Sequence, residues 1–155
     1  MRIPSGYLPR QLSAKNRDKQ RRGIQRSRRL YRQGVYVPRP HVAFRSIPSK
    51  HVVKAKALYG VAHIGPTRAL AKASGCPVSV LKGIVRKGEG AYYSGGSRPN
   101  QTAQSWAMAR LASALTGGKS AKVDFHLLKK CNHTKKAYRL ARQLVKGSQN
   151  NKRER

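Results

Sequence analysis

The charge balance constrains this chain more than any other feature. Its 155 residues carry 35 Lys plus Arg against 4 Asp plus Glu, a formal net charge of +31 with neutral histidines. Folded as one compact body it would expose roughly 8,000 Å², on the order of one net positive charge per 250 Å². Such a surface repels itself and needs an anionic partner. The hydrophobic share of 38%, with 14 Gly and 8 Pro, still supports a folded part. The sequence therefore predicts a small core with basic extensions.

Several classes drop out on the same reading. No apolar run approaches the ~20 residues that span a bilayer. The start, MRIPSG, lacks the apolar stretch of a signal peptide. A protein kept in a cytosol-connected space is expected, with Cys76 and Cys131 reduced, because two such distant cysteines do not make a disulfide framework. Catalysis is not expected either. The carboxylates are Asp18, Glu89, Asp124 and Glu154. Asp18 and Glu154 sit in the basic ends, Glu89 in a glycine-rich stretch, and Asp124 where it would favour a helix dipole. His126, Cys131 and His133, with Cys76 far away, match no usual zinc spacing, so no metal, cofactor or small-molecule substrate is expected.

Charge divides the chain: residues 1 to 60 hold 16 basic groups and one acid, residues 61 to 128 hold 9, and residues 129 to 155 hold 10. The expected organisation is a basic arm and Pro-rich strap over 1–48, a helical core over 49–147 and a loose basic tail over 148–155. From Ser13 to Gly34 the sequence reads as a basic helix capped by Ser13 and interrupted at Gly23. Its few apolar residues, Ile24, Leu30 and Tyr31, make no continuous stripe, so a partner is expected to order it. Val35 to Lys50, with three prolines, predicts an extended strap. The fold class is mainly α: a small helical domain with an extended basic N-terminal arm and a basic C-terminal helix.

Within the core, Ser49 to Gly60 reads as a helix with Val52, Lys56 and Tyr59 on one face. Thr67 to Gly88 reads as two short helices joined at Gly75, with Ala71, Gly75 and Leu81 at helix-turn-helix-like spacing. The exposed side of the second helix, Ser79, Lys82, Arg86 and Lys87, is then a possible recognition face. The segment from Gly88 to Gln101 reads as a loop in which glycines could let backbone N–H groups converge on an anion. Tyr92, Tyr93, Arg98 and Asn100 would be its contacts, with plugging of the core by the tyrosines as the simpler alternative. Thr102 caps a helix through Leu115 anchored by Trp106, and a last helix from Thr134 sets Tyr138, Ala141, Leu144 and Val145 against a basic face.

The segments LPRQLSAKNRDKQRRGIQRSRRLYRQGVYVPRP, HVVKAKALYGV and KGEGAYYSGGSRPNQTAQSWAMARLASALTGGKSAKVDFHLL together resemble small basic proteins encoded by large DNA viruses of algae and amoebae. The resemblance implies a virion protein made in the host cytoplasm and supplies no catalytic residues. With the charge pattern, it predicts a non-enzymatic minor capsid or inner-core component. Arg21, Arg22, Arg26, Arg28, Arg29 and Arg32 on the arm, and Lys135, Lys136, Arg139 and Arg142 at the other end, would bind a polyanion. Other virion proteins, nucleic acid or an anionic membrane surface are the expected partners. A DNA-binding regulator or genome-packaging protein using the helix pair, and a ribosomal-type RNA-binding protein, are the alternatives.

Overall fold

The structure, a computed structural model, describes residues 2–153 and is mainly helical: 63% helix, with eight α-helices and no strand among the described residues. Glu154, counted among the carboxylates above, lies outside the described residues.

Contacts group the chain into two compact units, 1–47 with 88–106, and 48–87 with 107–155. Residues 88–106 thus cluster with the arm rather than with the expected core. The tail expected to be loose is helical through Arg153.

In the first unit, helix α1 (Ala14–Tyr31) begins where the Ser13 hydroxyl accepts from the Asn16 N–H at 3.2 Å. It runs unbroken through Gly23. Contacts within the unit engage its inner face. Gln20, Ile24 and Ser27, spaced i, i+4, i+7, are buried, and the two polar members donate into the chain around them. The Gln20 amide donates to the Tyr7 and Ser97 carbonyls at 3.2 and 3.1 Å, and the Ser27 hydroxyl to the Tyr93 carbonyl at 2.9 Å. The strap after α1 carries neither helix nor strand. Asn100, in the left-handed region at φ 60°, fixes it. Its Oδ1 accepts from the Val42 N–H at 3.0 Å and its Nδ2 donates to the Val42 and Phe44 carbonyls, both at 2.9 Å. Leu12, Ile24, Val42, Tyr92, Pro99 and Ala103 are buried here, and Trp106 meets Tyr7 edge-on with ring centroids 5.6 Å apart.

In the second unit, α2 (Lys50–Tyr59) is capped by Ser49 and ended by Gly60, and α3 (Arg68–Ser74) by Thr67 and Gly75. Both glycines stand at positive φ, the left-handed cap that suits glycine. The inward face of α2 is Val52, Ala55 and Tyr59, whereas Lys56 is exposed. Helix α4 (Val78–Gly95) does not stop at Gly88, so the expected glycine loop is helical over its first two turns and belongs in part to the first unit. Helix α5 (Ala103–Leu115) opens on a reciprocal cap, Thr102 and Ser105 each accepting from the other's N–H at 3.0 and 2.9 Å. Short α6 (Lys119–Val123) and α7 (Phe125–Leu128) pack with each other and with α8 (Lys136–Arg153). Leu70, Leu81, Ile84, Leu111, Leu115 and Leu128 are fully buried at the centre.

Two sequence expectations are corrected in this unit. Cys76 and Cys131 are joined in a disulfide, not reduced, because folding brings the α3–α4 turn beside the segment that follows α7. The Asn132 N–H donates to the Gly75 carbonyl there at 2.8 Å. Asp124 does not cap α7 with its side chain. It is fully buried and takes both Arg110 nitrogens, Nε on Oδ2 at 2.9 Å and Nη2 on Oδ1 at 2.8 Å, the bidentate geometry that satisfies a buried carboxylate.

Candidate nucleic-acid interface

Helix geometry sorts the basic residues of α1 into two groups. Lys15, Lys19, Arg22, Arg26 and Arg29 recur at steps of four, three, four and three. At 100° per residue they share an arc of about 80°, opposite the buried Gln20, Ile24 and Ser27. All five are exposed, and the row extends over about 21 Å at 1.5 Å per residue. Beside it lies a groove of about 590 Å³ lined by Gly23, Val37, Pro38 and Pro40 together with Lys15, Lys19, Arg22 and Arg26. The one acid in the groove, Asp18, is engaged by Arg22 at 3.0 Å and Arg21 at 3.9 Å. Lys15 and Lys19 were not singled out from the sequence, although their spacing to Arg22 carried the signal.

The other arm residues have different roles. Arg28 donates to the Gly95 carbonyl through Nε at 3.0 Å and Nη2 at 2.7 Å, which makes it a structural clamp between α1 and the end of α4. Arg21 is half-buried beside Asp18, and Arg32 is exposed past the last turn. Arg39, in the strap, lies over the Tyr92 ring at 3.8 Å and donates to the Ser97 hydroxyl at 2.9 Å and to the Tyr92 carbonyl. Burial lowers its pKa, an effect that the nearby Tyr92 opposes.

A second row lies on α8. Arg139, Arg142, Lys146 and Arg153 fall within about 60° of arc. They are exposed, and Ala137 and Ala141 are buried on the opposite side. Lys135 precedes the first turn, exposed at its head, while its stem packs against Gly75. Lys136 is exposed on the flank of the row. On α4, Ser79, Lys82 and Arg86 share one exposed face, while Val80, Leu81, Ile84 and Val85 are buried. Lys87 is drawn aside: its Nζ lies 2.9 Å from His126 Nε2 and 4.0 Å from Asp124 Oδ1.

Between Gly88 and Gln101 the backbone does not form an anion cradle, and Tyr92 instead plugs the core, as the simpler alternative had it. The carbonyls of Tyr92, Tyr93, Gly95 and Ser97 accept from Arg39, Ser27, Arg28 and Gln20, so this segment presents acceptors, the wrong polarity for an anion. Tyr92 is buried with its hydroxyl donating to the Gln101 carbonyl at 2.9 Å, and Asn100 is committed to the strap. Tyr93 is half-buried and Arg98 exposed. Among the described residues, no three His, Cys, Asp or Glu side chains gather as a metal site, and no helix is long and apolar enough to cross a membrane.

A family model described as a family of unknown function (DUF5824) matches residues 11–139. No curated protein and no solved structure matches the chain.

Proposed function

The chain belongs to the DUF5824 family of unknown function, and from that premise we propose that it is a non-enzymatic structural protein that tethers a nucleic-acid backbone through helical rows of cations. The setting implied by its resemblance to small basic viral proteins, a virus particle, is part of the same proposal. The observation that carries it is the row Lys15, Lys19, Arg22, Arg26 and Arg29. Five exposed cations at regular helical spacing, opposite a buried face, form a linear positive track for a linear polyanion. Long side chains on such a track contact phosphates without reading bases.

Counterion release tests this. Binding of the full chain to a DNA duplex should weaken linearly in log K against log salt, with a slope of about −0.9 per phosphate neutralised. Exchanging Arg22, Arg26 and Arg29 together for Gln should make that slope shallower by about three. A flat slope for the wild type overturns the reading and favours an acidic protein surface as partner. A second reading rests on Ser79, Lys82 and Arg86, whose shared exposed face suits a recognition helix. It requires a preferred DNA sequence that competes far better than bulk DNA at equal salt.

A further inference from the structure

The tyrosines of the first unit point to a ligand more specific than a charged backbone. Tyr36 is 62% exposed, although its ring lies 5.6 Å from that of Tyr31 and 5.2 Å from that of Tyr93. Tyr93 in turn meets Tyr92 edge-on at 5.1 Å, and Tyr92 carries the Arg39 guanidinium. The outer ring is therefore backed by a run of inner ones while most of its surface faces water. Anchoring the strap does not account for this, because Asn100 and the buried Val42 already fix it a few residues on.

Charge says what kind of ligand suits that surface. Tyr31 is on the last turn of α1, within two residues of the exposed Arg29 and Arg32. Among the described residues of this unit the carboxylates are Asp18, already paired with Arg22, and Glu89, one turn before Tyr93 on α4. Cations outnumber acid around an exposed, supported ring. A cationic rim beside a π-face is the combination by which proteins hold unpaired nucleotides: the phosphate meets the cations and the base stacks.

We propose that Tyr36, backed by Tyr31 and Tyr93, is a stacking platform for an unpaired base, which makes a single-stranded nucleic acid the partner. This rests on the backbone-binding reading and narrows it. Bases within a duplex already stack on each other and cannot offer a face to the ring. A supported ring also loses little freedom on binding, and any base suffices because each has a π-face.

The test compares the full chain's binding to an oligodeoxythymidine strand and to an abasic strand of equal length and charge. Wild type should prefer the thymidine strand by roughly 5- to 100-fold. Tyr36→Ala should abolish the preference while leaving abasic binding, salt slope and helix content unchanged, and Tyr36→Trp should keep it. Equal binding of wild type to both strands overturns the platform and leaves backbone binding intact. A preference that survives Tyr36→Ala overturns the assignment to this ring, and failure to bind either strand or a duplex overturns both readings.

Discussion

Gly23 marks the place where the strap crosses α1. A Cβ there would meet Pro40 Cδ at 2.8 Å, and that atom belongs to a ring bonded into the backbone and cannot swing away. In the sequence the residue looks like a helix interruption, since Gly costs about 1 kcal/mol against Ala in a helix interior. Its use is clearance, which no single-helix pattern displays. Gly23→Ala should therefore destabilise the protein by about 1 kcal/mol, overpacking at about 1 to 3 kcal/mol outweighing the gain in helix propensity. Denaturant titration of wild type and variant measures it; an increase in stability would show that the strap yields freely. Gly96 repeats the theme from the other side: at φ 115° its Cβ position lies 3.1 Å from Ile24 Cγ2 and 3.2 Å from Tyr7 Cδ2.

At the scale of elements, α1 is the informative case. Its buried face is one apolar residue between two polar ones, so periodicity of apolar residues could not find it. What fixes the helix is hydrogen bonding from Gln20, Ser27 and Arg28 to carbonyls of the 88–106 segment and of Tyr7. Removing a donor leaves a buried carbonyl unpaired, at about 1 to 3 kcal/mol each. Gln20→Ala combined with Ser27→Ala should thus strip hydrogen-exchange protection from the α1 amides in the absence of any nucleic acid. Protection equal to wild type would mean that the hydrogen bonds do not hold the helix. Caps, by contrast, were legible because they are local: Ser13, Ser49, Thr67 and Thr102 begin helices, and Gly60 and Gly75 end them. The extension of α4 through GEGAYYSGG was not legible, since runs of glycine break helices unless tertiary contacts hold them, and here Gly88 and Tyr92 are buried. Of the candidate interface, the cations were legible and their sorting only partly so. The sequence spacing contains the row on α1 and leaves Arg28 off it, but nothing in the sequence names the Gly95 carbonyl that Arg28 clamps.

For the molecule as a whole, the disulfide carries a consequence for both stability and binding. Cys76 and Cys131 are 55 positions apart, so their bond closes a long loop in the unfolded chain. In the chain-entropy account such a loop stabilises the folded state by about 4 kcal/mol. The bond also lies beside the contacts that seat the start of α8: Gly75 accepts from the Asn132 N–H, and its α-carbon leaves room for the Lys135 stem, where an added Cβ would lie 2.5 Å from Lys135 Cγ. Reduction should therefore act in two ways. The second unit should unfold at lower denaturant, and the α8 row, whose helix starts just after Lys135, should contribute less to binding. The α1 row should be spared, because the residues around it are joined by hydrogen bonds that involve neither cysteine. The double substitution Cys76→Ser with Cys131→Ser is the direct test, read by denaturant titration and by the salt slope on the same nucleic acid. Lower stability with a shallower slope is the expected outcome. Unchanged stability would sink the cross-link as a structural element, and lower stability with an unchanged slope would assign backbone binding to α1 alone.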